Sequence, residues 1–180
     1  REIESKRENR QYLPGIKIPK NLMAENSLKD ALENSEIIFS AVPSEFVRST
    51  LKNIRPYYND QIVVSATKGM EHSTSKRMSE IIEDELATSK IAVLSGPNHA
   101  EEVSRKMPTA SVVASKDRST GKTVAEALAS PYFKLYQLND VVGVEICGAL
   151  KNISAIATGV CDGLGFGDNA RSSIITLGLM

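Results

Sequence analysis

The chain has 180 residues, 41% hydrophobic and 24% charged, in the range of an ordinary globular protein. Twenty-two Lys and Arg balance twenty-two Asp and Glu, which argues against nucleic acid or an anionic membrane as the main partner. Two cysteines, Cys147 and Cys161, lack CxxC or zinc-finger spacing and read as reduced, buried thiols of a cytoplasmic protein. His72 and His99 are isolated, so no metal site is expected. There is no uncharged apolar run long enough for a transmembrane helix, so no membrane insertion is expected. The charged opening "REIESKRENR" is not a signal peptide. It lacks an initiator methionine and "LGLM" stops inside an apolar pattern, so both ends are expected to be cut.

In chain order, residues 1–12 read as a polar helix or its end, and "YLPGIKIPKNL" as a loop or short extended piece. "SLKDALENS" predicts a helix capped by Ser27. "EIIFSAVPS" reads as a strand buried on both faces, and "EFVRSTLKNIRPYY" as an amphipathic helix. "DQIVVSATKG", "KIAVLSGP", "TASVVAS" and "FKLYQL" are further strands. They alternate with helices over "SKRMSEIIEDELA", "HAEEVSRK" and "STGKTVAEALAS". Repeated strand–helix units predict an α/β fold with a mainly parallel sheet. From Asp140 no strand is expected. "DVVGVEICGALKNISAIATGVCDGL" is a long helical stretch, and "NARSSIITLGLM" starts another. The boundary is set near Asn139.

Ligands of open parallel sheets bind beyond the carboxyl ends of the strands. Three such ends carry unusual residues: Ala41-Val42-Pro43-Ser44, Ser65-Ala66-Thr67-Lys68-Gly69 and Ser95-Gly96-Pro97-Asn98. Any one of them alone is more simply an ordinary turn. Lys68 follows a buried strand and suits a phosphate or a polarised carbonyl as a point charge. Asn98 is expected to cap a short helix, and His99 to lie at the surface.

Lys151 is the only charge between the two cysteines. On a helix its neighbours at three and four positions are Cys147, Gly148, Ser154 and Ala155, all small. Spacing leaves two readings level: a stem lying along a domain seam with its head in water, or an ammonium held for chemistry. Asn152, next to it, could donate to a substrate hydroxyl or hold the lysine. "DGLGFGDNARSS" is G-x-G-x-G after a helix, so it reads as a helix–helix turn with Asp168 or Asn169 capping the next helix. No G-x-G-x-x-G occurs in the chain.

"SATKGME", "LSGPNHAEEV", "PTASVVAS" and "GVEICGALKNISAIATGVCDGLGFGDNARSSIITLGL" resemble the bacterial type of NAD(P)-dependent glycerol-3-phosphate dehydrogenase. "RENRQYLPGIKIP" resembles the segment after the second strand of that family's Rossmann domain, and the resemblance runs over essentially the whole chain. It implies a partial Rossmann-type parallel sheet over 1–138, followed by the start of an all-α substrate domain over 139–180. It implies reversible reduction of dihydroxyacetone phosphate to sn-glycerol 3-phosphate with NAD or NADP as cofactor, feeding phospholipid synthesis. Lys151 would be the catalytic acid and base. Lys68, Gly96, Asn98, Lys151 and Asn152 would hold substrate, and Lys68, Ala100, Tyr12, Val42 and Pro43 the cofactor. The expected partner is a small-molecule phosphate, with a homodimer as candidate assembly.

The family's first strand and Gly-rich loop precede the segment that matches Arg1, and an Arg-Asn pair that binds the substrate phosphate follows Met180. This piece alone is therefore expected to be weak or inactive. The alternatives are a related hydroxyacid or ketopantoate-type dehydrogenase, or a non-catalytic binding module of the same fold.

Overall fold

The computed structural model describes residues 2–178. The N-terminal elements are α1 (Glu2–Lys6), β1 (Glu8–Asn9), β2 (Leu13–Lys17) and α2 (Leu28–Glu33). The central ones are β3 (Ile37–Ser40), α3 (Ser44–Ile54) with a 3-10 turn (Arg55–Tyr57), β4 (Ile62–Ser65), α4 (Met78–Leu86) and β5 (Ile91–Ser95). Then come α5 (Ala100–Ser104), β6 (Thr109–Ala114), α6 (Arg118–Leu128), β7 (Phe133–Leu138), α7 (Val141–Gly163) and α8 (Asp168–Leu177).

The first helix is shorter than the polar pattern suggests. Arg7 turns the chain with φ 51°, and β1 and β2 pair as a small antiparallel hairpin. Glu8 closes that hairpin by accepting from the Gly15 amide at 3.0 Å and the Lys17 ammonium at 3.2 Å.

The main sheet has the order β3-β4-β5-β6-β7. β3, β4 and β5 run parallel, and β6 and β7 run parallel to each other. The expectation of a mainly parallel sheet needs one correction: β5 and β6 pair antiparallel, Val93 opposite Ala114. α5 has five residues, about 7.5 Å of helix. That is too short to carry the chain back along a strand, so β6 starts at the end where β5 stops.

β3 lies at an edge of this sheet, so it is not buried on both faces as its apolar run suggests, and Phe39 is 43% exposed. The central strands fit that pattern better: Val63, Val64 and Ala92 are fully buried. One face packs Val63 against Val47 and Leu51 of α3 and Ile81 and Ile82 of α4. The other packs Val64, Ala92 and Val113 against Val124 and Ala125 of α6. α7 covers part of the first face through Val141 and Val144 over Val93 and Ala114.

Helix starts follow side-chain capping in three places. Ser27 accepts from the Asp30 amide, Asp117 from Ser119 and Thr120, and Asp140 from Gly143 at 2.8 Å. At α8 the N-cap is Gly167, so neither Asp168 nor Asn169 takes that place. Asp168 lies in the first turn, where its charge still favours the helix dipole. Cys161 is buried as expected, whereas Cys147 is exposed.

Leu51, 1% exposed at the centre of the α3–α4 packing, sets a test of this core. Leu51→Ala is expected to cost about 2–5 kcal/mol in denaturant unfolding, from lost burial and a cavity that closes only in part.

Candidate active site

The carboxyl ends of β3, β4 and β5 meet at one end of the sheet because those strands are parallel. The Thr67 hydroxyl, just past β4, donates to the Val42 carbonyl at 2.7 Å and so ties the two strand-end turns together. Gly69 has φ +120°, and a side chain there would begin 3.4 Å from the Ser44 hydroxyl. Lys68, held between these two ties, donates to the Gly96 carbonyl at 3.3 Å and to Asn98 Oδ1 at 3.4 Å. Gly96 has φ +152°, and a Cβ would stand 2.9 Å from the Ser111 Cα, so only glycine fits this turn.

α7 brings the second lysine. It packs against β5 and passes over the end of that strand at Gly148. A Cβ at Gly148 would lie 3.0 Å from Ser95 Oγ and 3.9 Å from Lys68 Cγ. The bare backbone at residue 148 thus lets the helix lie this close to the strand, where a side chain would crowd the Ser95 hydroxyl. Lys151 follows one turn later and faces an open cavity of about 320 Å³. Ser95, Gly96, Val112, Cys147, Gly148 and Lys151 line it.

Burial holds the Lys68 ammonium below its ordinary pKa, and the neighbouring Lys151 charge adds to that. Two cations beside one small cavity form a site for an anion or for an oxygen that gains negative charge. A hollow of about 340 Å³ near the start of β5 lies away from both lysines. Two of its charged walls are already engaged, Arg77 with Glu145 and Asp117 with the first amides of α6.

Of the residues singled out from sequence, Lys68, Gly96, Asn98 and Lys151 come together here. Val42 and Pro43 adjoin them through Thr67. Ala100 is exposed at the first position of α5. Asn98 is not the cap of that helix. His99 holds that position, and Asn98 turns its side chain to Lys68 instead. Asn152 is exposed, about 100° further round the helix than Lys151. Tyr12 stands 73% exposed on the hairpin turn, with its hydroxyl accepting from Gln11.

Sequence reasoning missed Glu145, and it placed Thr67 and Ser95 in the strand-end turns without giving either a role. Glu145 carried a signal, since it is a lone acid in an apolar helix start, as Lys151 is a lone base further on.

A sheet with helices on both faces, and a cavity at the strand ends, defines the fold as Rossmann-type, a class whose ligands bind at that end of the sheet. Residues 1–121 match the NAD-dependent glycerol-3-phosphate dehydrogenase N-terminus, and residues 140–180 match the C-terminus of the same family. The chain belongs to that family. It is 46% identical over 183 residues to glycerol-3-phosphate dehydrogenase [NAD(P)+] of Chlorobium phaeobacteroides (strain BS1). That match covers 99% of this chain and 55% of the relative. The crystal structure of glycerol-3-phosphate dehydrogenase from Coxiella burnetii is similar with a TM-score of 0.91 at 37% identity, covering 99% of this chain and 55% of that one. The yeast enzyme's structure gives 0.87 at 32%, covering 98% and 53%. The chain thus spans about half the length of the relatives it matches.

The loop after Lys68 is held by a second charge cluster. Arg48 of α3 donates to both oxygens of Glu71, at 2.7 and 2.8 Å, and to Glu85 at 2.5 Å. Glu71 also accepts from Thr74, and its pKa falls from 4.5 to about 2, chiefly through the Arg48 hydrogen bonds. A carboxylate with a lowered folded pKa adds stability above its unfolded pKa and loses it as pH falls through the folded one. Acid melts should therefore show stability falling between about pH 4.5 and about 2. Glu71→Gln should be less stable at neutral pH and show a shallower fall in that window. An unchanged acid limb would remove Glu71 as its source.

Proposed function

We propose that the protein interconverts dihydroxyacetone phosphate and sn-glycerol 3-phosphate by hydride transfer with NAD or NADP. The observation that carries this reading is the meeting of Lys68 and Lys151 beside a small cavity with Asn98 and the Gly96 backbone. The bare backbone at Gly96 and Gly148 fits a flat ring and a three-carbon phosphate packed against the helix face. The residues present thus fit the nicotinamide end of the cofactor. The 180 residues contain no G-x-G-x-x-G loop for its pyrophosphate.

The nicotinamide, when bound, supplies or accepts the hydride. Lys151 donates a proton to the oxygen that gains charge as the carbonyl is reduced, and takes it back in the reverse direction. Lys68 stays hydrogen-bonded to Gly96 and Asn98 and presents fixed positive charge to the substrate, which needs no reorganisation as the reaction proceeds. Asn98 orients Lys68 and has a free amide for a substrate oxygen. Val42 and Pro43 border the cofactor path beside Lys68, with Ala100 and Tyr12 further along it and Asn152 contacting substrate. The same reading divides the chain at 138/139 into dinucleotide-binding and substrate domains and places the protein in the cytoplasm, where its two thiols stay reduced.

The test is oxidation of NADH or NADPH by the full-length gene product, with dihydroxyacetone phosphate and ketopantoate compared. Turnover of ketopantoate alone would replace this reading with the related dehydrogenase. Lys151→Ala is expected to lower kcat by about a hundredfold or more, the usual worth of a general acid. Retention of roughly a tenth of the activity would remove Lys151 from that role.

A further inference from the structure

We propose that Glu145 is a positioning residue, which fixes α7 against α4 and thereby sets Lys151 beside Lys68. The inference rests on the reading of the two lysines as one site.

Glu145 is 7% exposed, in the second turn of α7 and three residues before Gly148. Its carboxylate accepts from the Arg77 guanidinium at 2.7 Å, the Ser79 amide at 2.8 Å and the Ser79 hydroxyl at 2.6 Å. The Ser79 amide is one of the unpaired donors at the start of α4, so Glu145 caps one helix from another. Glu80 completes that end by accepting from the Arg77 amide at 2.9 Å, and its carboxylate also pairs with the Arg77 guanidinium at 3.1 Å.

Arg77 connects this anchor to the other lysine. Its backbone bridges to Met70, two residues after Lys68. The Glu71 amide donates to the Lys76 carbonyl at 2.9 Å, which closes the loop between them. One residue thus holds the segment that carries Lys68 through its backbone, and the helix that carries Lys151 through its side chain.

Geometry makes the anchor consequential. Glu145, Gly148 and Lys151 are spaced three apart and lie along one ridge of α7, each about 60° round from the last. Glu145 meets α4, Gly148 meets Ser95, and Lys151 meets the cavity. A helix rotation of about 20° displaces a group roughly 8 Å from the axis by about 3 Å. That would carry the Lys151 ammonium out of reach of the bond that Lys68 faces. Past Glu145 the next buried residue on α7 is Cys161, so Glu145 is the last buried polar anchor before Lys151.

The test reads the Lys68 titration by NMR of isotopically methylated lysines in Glu145→Gln, Glu145→Ala and Lys151→Met, beside kcat in the full-length protein. Lys68 titrates low partly because Lys151 is near. Lys151→Met should therefore raise the Lys68 titration, and both Glu145 variants should raise it too, the Ala variant more than the Gln. Misplacing a reacting group by about 1 Å costs up to a hundredfold, so kcat should fall at least tenfold in Glu145→Ala with partial rescue in Glu145→Gln. If Glu145→Ala does not fold, the Gln variant decides. An upward shift in Lys151→Met with none in a folded Glu145 variant overturns the positioning role and leaves the lysine site standing. No shift in Lys151→Met means the lysines are not neighbours, and overturns both.

Discussion

Two ammonium groups in one small site repel each other, and the structure around Lys68 and Lys151 is arranged to hold them together regardless. Among the described residues no carboxylate pairs with either lysine: Lys68 is met by a carbonyl and an amide oxygen. Those are dipoles, strong enough to orient the ammonium and too weak to neutralise it. The positive charge stays available for an incoming anion. A carboxylate in the place of Asn98 would quench it. The cost of the repulsion is carried by the scaffold, through the glycine contact at Gly148 and the ties at Thr67 and Glu145.

The carboxylates near the site are spent on holding backbone. Glu71 takes Arg48, and Glu145 takes Arg77. Both arginines are largely shielded from solvent; Arg48 grips both oxygens of Glu71, and Arg77 divides its planar fork between Glu145 and Glu80, a fixed geometry that a lysine would not give. The division is consistent: arginine pairs fix the loop and the helix, and the lysines are left to the ligand. The three strand ends are joined by neutral contacts instead, Thr67 to Val42 and Lys68 to Gly96, which add no competing charge.

Most of the fold could be read from the sequence because the strands are apolar runs punctuated by Pro and Gly, and the helices between them have a single apolar face. Two features escaped for physical reasons. The reversed direction of β6 depends on how far five helical residues reach, which the apolar pattern does not encode. The edge position of β3 depends on pairing partners, and an apolar strand looks the same at the centre or the rim. At the site, Lys151 and Lys68 stood out because lysine in small-residue surroundings is unusual. Asn98 was visible but misassigned, since a residue after Gly-Pro looks like a helix cap until the turn at Gly96 is seen to aim it elsewhere. Thr67 and Ser95 lay in the strand-end turns that stood out, but no sequence pattern assigned either a role of its own. Each acts through one contact made by chain folding.

α7 combines two different environments in one helix. By length and composition it is long and apolar enough to cross a membrane, a property hidden from a search for uncharged runs because Lys151 interrupts it. Its first half argues against a bilayer in this fold. Glu145 is sealed in an ion pair with α4, and Gly148 is pressed against Ser95. Removing Arg77 would leave the buried Glu145 carboxylate without its ion-pair partner, a heavy cost. The second half runs past the sheet with Ile153, Ile156 and Val160 exposed, and α8 packs on it, with Arg171 paired to Asp162. The helix is thus fixed by polar contacts where Lys151 needs it fixed, and bare of them along its exposed apolar face.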